Sequence, residues 1–194
     1  MFYWICAVSA YLLGSLNLSI WISKRIYGRD IHSLGSGNPG TANTLRTLGL
    51  FPAALVFAFD FCKAYFPVLL VQNTAENTWF SVLTALLIIY GHCFPVFHRF
   101  HGGKGVACAF GAVAAFSPVM AFLLLTICAI LSLSLRHVFL TPVITAAMMI
   151  PTFPLYAVYT GRPVFPFLLF SVGIFALLWN RHLLQFQTLN NHST

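Results

Sequence analysis

Charge is what this chain lacks most. Only 7% of its residues are Asp, Glu, Lys or Arg, against about a quarter in soluble domains. Acidic groups are scarcest, with three in the chain: Asp30, Asp60 and Glu76. So few carboxylates leave little material for a carboxylate-oriented histidine base or a carboxylate metal site. Cysteine offers no more. Cys6, Cys62, Cys93, Cys108 and Cys128 lie in apolar runs without a CxxC pair, and read as buried free thiols acting as small hydrophobes.

Hydrophobic residues fill the space that charge leaves, at 59% of the chain. An integral membrane protein follows, expected as one helical bundle in a single domain over 1–194. The first apolar stretch, Phe2 to Ile22, has no basic segment before it. It reads as a membrane span rather than a signal peptide, since roughly 20 residues cross the hydrocarbon core. The net charge of +7 invites a nucleic-acid partner, but the basic residues stand singly or in pairs at the ends of apolar segments. That is the pattern of membrane orientation signals, and no nucleic-acid partner is expected.

Apolar runs predict spans over about Phe2–Ser23, Thr47–Val71 and Trp79–Val96. Val106 to Leu135 is too long for one untilted crossing and short for two. Pro118 after Ser117 divides it into a helix ending near Phe116 and a second ending at Leu135. Val138–Tyr159, expected to be interrupted by Pro142, Pro151 and Pro154, and Val164–Trp179 complete the set. The expectation is all-α, a polytopic bundle of about seven transmembrane helices. Trp4, Trp21, Trp79 and Trp179 stand near span ends, as interfacial anchors do. Lys24, Arg25, Arg29, Arg46, Arg99, Lys104, Arg136 and Arg181 fall on one side of this topology and Arg162 alone on the other. The basic side is read as cytoplasmic, with the N-terminus outside and the C-terminus inside.

This topology gathers the polar motifs on one face. Gly35-Ser36-Gly37-Asn38-Pro39-Gly40 runs into Thr41-Ala42-Asn43-Thr44-Leu45-Arg46. Glycines let backbone N–H groups approach a ligand, Ser36, Asn38 and Asn43 add neutral donors, and Arg46 supplies a planar charge suited to phosphate. The plainer reading is a Gly/Pro turn with Arg46 as a topology signal, but a turn alone does not need that many polar side chains beside lipid. Gly102-Gly103-Lys104-Gly105 is the second loop, with a short helix expected directly after it. A lysine among bare amides at a helix N-terminus suits an anion; the plainer reading is a flexible loop with a snorkelling lysine. A Walker A motif is disfavoured, because His98 and Gly105 occupy the places of its first Gly and its Ser/Thr.

Three further features are less decided. Asp60 and Lys63 lie three apart on one helix face, where mutual neutralisation bracing the bundle is favoured over a direct role. His92, before Phe94-Pro95, is either a hydrogen-bonded structural group or a residue lining the site. Asn180-Arg181-His182 is either a solvated helix end or part of the same face. No His is followed by Asp after four intervening residues, the motif of a large class of glycerolipid acyltransferases. An enzyme built this way works mostly by positioning and anion stabilisation.

Together these residues resemble a known family, the bacterial membrane acyltransferases that use acyl phosphate to acylate glycerol 3-phosphate. The likeness rests on GSGNPG followed by Asn43, Leu45, Arg46 and Gly49; on Asp60 and Lys63; on Gly91-His92-x-Phe94-Pro95-x-Phe97; and on GGKGVA from Gly102 to Ala107. It covers about residues 10–182. Departures are Thr41-Ala42 for Ala-Thr, Ala64 for Gly, Cys108 for Thr, and a C-terminal segment lacking the family's His-Arg pair and Gly-x-Glu around Asn180. The resemblance implies a seven-helix enzyme of the bacterial plasma (inner) membrane with its site facing the cytoplasm. Its substrates would be acyl phosphate and glycerol 3-phosphate, its products lysophosphatidic acid and phosphate, with membrane lipid around it and no cofactor or metal. Ser36, Arg46, Lys104 and Asn180 would be catalytic. Gly37, Asn38, Asn43, His92, Gly102, Gly103 and Gly105 would bind substrate, the amides of Gly102 and Gly103 cradling a phosphate. Two other readings stay open: an organic-phosphate transporter and an inactive paralogue.

Overall fold

A computed structural model describes residues 2–74, 77–135 and 140–191. Glu76, Arg136, His137 and the side chain of Trp4 lie outside the described residues. Among the described residues the regular structure is helical: nine α-helices, two short 3-10 turns and no strand.

The first expected span is broken. α1 (Phe2–Gly14) and α2 (Leu18–Arg25) meet at a bend of 43°. Asn17 causes the restart, its side chain accepting from the N–H of Ile20 as an N-cap. The break frees the carbonyl of Leu16, which accepts from Lys63 Nζ at 2.7 Å. The same Asn17 donates to the carbonyl of Pro39 at 3.1 Å, tying the bend to the first glycine loop.

α3 (Thr41–Leu48) is short and leads directly into α4 (Leu50–Thr74). α5 (Thr78–Cys93) starts on an Asn77 cap and ends three residues short of the expected boundary. α6 (Val106–Phe116) and α7 (Pro118–Leu135) divide at Ser117-Pro118 as the sequence predicts. α8 (Thr141–Tyr159) runs unbroken through Pro151 and Pro154. That corrects the expected interruption: within a bundle, packing on neighbouring helices keeps such a helix intact. Met149, Phe153 and Ala157 of α8 are buried, and the Phe153 ring packs tilted against Phe167 and Phe170 of α9 (Val164–Asn191). α9 also continues past the expected end at Trp179.

Among the described residues, four helices are long and apolar enough to cross a membrane, or five if the bent pair α1–α2 is one span. α6 and α7 are shorter apolar helices. At 1.5 Å per residue α6 is about 16 Å long, roughly half the hydrocarbon thickness. Trp21, Trp79 and Trp179 are all exposed on the bundle surface.

Glycines set the tightest helix contacts. A Cβ on Gly91 of α5 would stand 2.3 Å from the carbonyl oxygen of Tyr11 on α1. One on Gly111 of α6 would stand 2.2 Å from that of Phe61 on α4. Small residues at such points let backbones touch, the usual device where lipid removes the hydrophobic drive between helices.

Candidate active site

The first loop is clamped by the helix it introduces. Asn43 accepts from the N–H of Ser36 at 2.8 Å and donates to the carbonyl of Leu34 at 2.9 Å. Thr44 donates to Gly40 at 3.0 Å and meets Ser19 of α2 at 2.8 Å. Asn43 is 1% exposed, and its amide is committed to the loop. Asn43 thus braces the loop that carries Ser36 and Asn38.

The second loop is gripped from two sides. The N–H of Gly103 donates to the carbonyl of His92 at 3.1 Å. Arg181 of α9 donates through Nε to the carbonyl of Gly103 at 3.1 Å, and through its terminal nitrogen to that of Gly102. Its guanidinium lies 5.2 Å from the centre of the Phe94 ring. The Gly103 amide, expected to cradle a phosphate, is thus engaged by the protein itself. Gly105 follows in the left-handed region at φ 82° and caps α6, a conformation that costs glycine little.

Between the loops lies a cavity of about 370 Å³, within the range of small-ligand sites. Of the expected site residues, Ser36, Asn38, Asn43, Arg46, His92, Lys104 and Gly105 line it. Gly37, Gly102, Gly103 and Asn180 are not among its described lining residues, and Asn180 is exposed on α9. His182, two residues on, is buried and lines the cavity instead. Thr41, part of the first motif but given no role there, also lines it, as do Ser132 and Thr141, which went unmarked in the sequence. Hydroxyl residues in apolar helices carry no local signal that separates a lining side chain from one bonded to its own helix.

One end of the cavity is built for an anion. The first residues of α3 (Thr41, Ala42) and of α6 (Val106, Ala107) both line it, so two helix N-termini with their unsatisfied N–H groups reach the same space. Arg46 and Lys104 add full charges. Burial, then the positive charges of Arg46 and Arg181, push the Lys104 ammonium down to about 8. Phe57, Phe110 and Leu125 give the same cavity an apolar wall. A smaller apolar gap lies behind it and shares Val106, Phe110 and Pro142 with the cavity.

Asp60 and His92 form the floor. Asp60 pairs with Lys63 at 2.7 Å and stands 3.4 Å from His92 Nδ1, which is 3.0 Å from Lys63 Nζ. The ligand atoms of Asp60, His92 and Cys108 fall within 4.8 Å of one another. The Lys63 ammonium already occupies the cation's place between Asp60 and His92, so the cluster fits an internal ion pair better than a metal. This agrees with the bracing role expected of Asp60 and Lys63, and puts His92 at the cavity wall.

Fold and cavity together define a polytopic membrane protein with a cationic pocket at one end of its helices, open along an apolar wall. Comparison with known proteins gives the class a family. The glycerol-3-phosphate acyltransferase family matches residues 4–192. The chain is 36% identical over 173 residues to a glycerol-3-phosphate acyltransferase of Rubrobacter xylanophilus, covering 89% of this chain and 83% of that one. It is 34% identical over 197 residues to one from Lactococcus lactis, covering 95% and 88%. The crystal structure of PlsY (YgiH), an integral membrane glycerol 3-phosphate acyltransferase, in its glycerol 3-phosphate form superposes with a TM-score of 0.86 at 33% identity, over 99% of this chain and 94% of that one. Its lysophosphatidic acid form superposes at 0.81. The chain belongs to the glycerol-3-phosphate acyltransferase family.

Proposed function

We propose that this chain, as one domain over 1–194, transfers a fatty acyl group from acyl phosphate to the 1-hydroxyl of glycerol 3-phosphate in the cavity between its two glycine loops. The observation that carries the reading is a single cavity that joins Arg46, Lys104 and two helix N-termini to an apolar wall. That pairing suits a phosphate ester at one end and an acyl chain at the other. Family membership favours it over transport or an inactive paralogue.

In this reading the 1-hydroxyl oxygen attacks the acyl carbonyl carbon, and the bond from that carbon to the phosphate oxygen breaks. The hydroxyl proton leaves with the departing phosphate, which serves as the base in a site poor in free carboxylates. Asp60 is held in its ion pair and contributes no base. Arg46 and Lys104 hold the phosphates, Ser36 and Asn38 orient them, and His92 and His182 wall the pocket. The N-terminus of α6, opened by Gly105, faces the charge that develops on transfer. Gly37, Gly102 and Gly103 shape the loops. Asn180, exposed outside the cavity, has no part in this scheme. The basic loops face the cytoplasm of a bacterial plasma (inner) membrane, and the acyl chain enters from the lipid side.

Phosphate release by the purified protein in lipid, given palmitoyl phosphate with and without glycerol 3-phosphate, tests this. Acceptor-dependent release that Lys104→Ala abolishes is expected. No release from folded wild-type protein overturns the reading.

A further inference from the structure

We propose that Arg181 is a positioning residue for the reaction, setting Lys104 in the cavity through the two glycine carbonyls that precede it. The inference deepens the acyl-transfer reading above and rests on it.

The loop cannot hold itself. A side chain on Gly102 would begin 2.1 Å from the carbonyl oxygen of His92, and one on Gly103 2.1 Å from His92 Nε2. Residues 102 and 103 must therefore be bare, and bare residues bring no anchors of their own. Their backbone is gripped instead from outside. On one face the Gly103 N–H donates to His92 at the end of α5. On the other, Arg181 takes both consecutive carbonyls with one edge of its guanidinium and rests on the Phe94 ring. Only a planar fork fits two acceptors one residue apart while stacking on an aromatic face, so lysine does not replace it.

The next residue is Lys104, whose side chain lines the cavity, and the one after it caps α6. A shift at the carbonyls of 102 and 103 therefore moves both the cation and the helix N-terminus. Arg181 itself is not among the described lining residues. Its action passes through the loop and through its charge. The groups that face Lys104 are Arg46 from α3 and Arg181 and His182 from α9, while Asp60 of α4 and His92 of α5 line the same cavity. Removing the Arg181 charge lets the Lys104 ammonium keep its proton to a higher pH.

The test compares wild type, Arg181→Gln and Arg181→Lys in lipid nanodiscs, with palmitoyl phosphate and glycerol 3-phosphate as substrates. Activity per folded protein, its pH profile and the melting temperature are recorded. Arg181→Gln is expected to lose about 10–100-fold in kcat/KM, the scale of a small misplacement of a binding group, and to shift the alkaline limb upward. Arg181→Lys keeps the charge and loses the fork, so it retains most of that loss with the limb at the wild-type position. Both variants within twofold of wild type, or a loss fully explained by unfolded protein with an unmoved limb, overturn the proposal. If wild type itself transfers no acyl group, the acyl-transfer reading is what has failed. Calorimetric binding of glycerol 3-phosphate then decides for Arg181: the same upward pH shift in Arg181→Gln supports it, and an unmoved profile overturns it.

Discussion

Replacing Lys63 by Met should unfold this protein more readily than any exposed substitution, and a second change should restore most of the loss. Lys63 stands 2.7 Å from Asp60, with both side chains 2% exposed. Breaking such a pair from one side typically costs about 3–5 kcal/mol, because the remaining charge is buried without its partner. His92, 3.4 Å from Asp60, should soften the loss. The carbonyl of Leu16 also loses its donor, adding about 1 kcal/mol. A net loss of about 3–4 kcal/mol follows. For a chain of this length that lowers Tm by roughly 6–16 °C. Asp60→Asn combined with Lys63→Met removes the stranded charge and should recover at least half of the deficit. The assay is thermal unfolding in detergent micelles, run as a double-mutant cycle with Asp60→Asn alone. A Lys63→Met protein within about 0.5 kcal/mol of wild type, or a double variant equal to the sum of the singles, would refute the argument.

Gly111→Ala should destabilise by more than the about 1–3 kcal/mol of ordinary overpacking, since the clash at 2.2 Å is with the backbone of Phe61 and no side chain can give way; a lowered melting temperature checks it. The Lys104 ammonium, held near 8, should make pH act in two directions. Binding of glycerol 3-phosphate should weaken as pH rises through about 8, because the cation is lost. Stability should rise between that value and the ordinary lysine range of about 10.4, because the unfolded chain still binds that proton and the folded one does not; calorimetry and thermal melts read the two separately, and parallel trends would contradict the sign. Phe110→Ala should join the cavity to the apolar gap behind it, favouring longer acyl phosphates by roughly fourfold in kcat/KM per extra methylene buried, at about 0.8 kcal/mol each; a chain-length series on the variant measures this.

How much of the molecule could be read beforehand depends on how local each feature is. Ser117-Pro118 divides α6 from α7 because proline forbids the helix at a single position, and the sequence shows that position directly. The glycine loops are legible for the same reason. The break between α1 and α2 is not. Asn17 lies in a run whose mean hydropathy masks one capping residue, and its partners, Pro39 and the Lys63 that binds Leu16, are distant in sequence. The prolines of α8 mislead in the opposite sense, because packing against Phe167 and Phe170 outweighs the local preference. At the site, Asn180, Arg181 and His182 are consecutive, yet each points about 100° from the last. Helical phase decides that one is exposed, one grips a loop and one lines the cavity, and phase over a single polar triplet cannot be read without the neighbours. The committed amide of Asn43 is hidden likewise, since its partners are backbone groups.

The pairing of Asp60 with Lys63 also bears on how the chain enters the membrane. α4 precedes α5 in the chain, so on vectorial insertion it meets lipid before His92 is in place to help carry its charges. Each charge alone at the centre of a span opposes insertion by about 2.5–3.5 kcal/mol. Their spacing of three residues lets the two neutralise each other on the nascent helix, so the segment partitions into lipid without waiting for a partner. The same pair then meets the Leu16 carbonyl on the preceding segment and His92 on the following one. Lys63 becomes the point at which three successive insertion events are joined into one bundle.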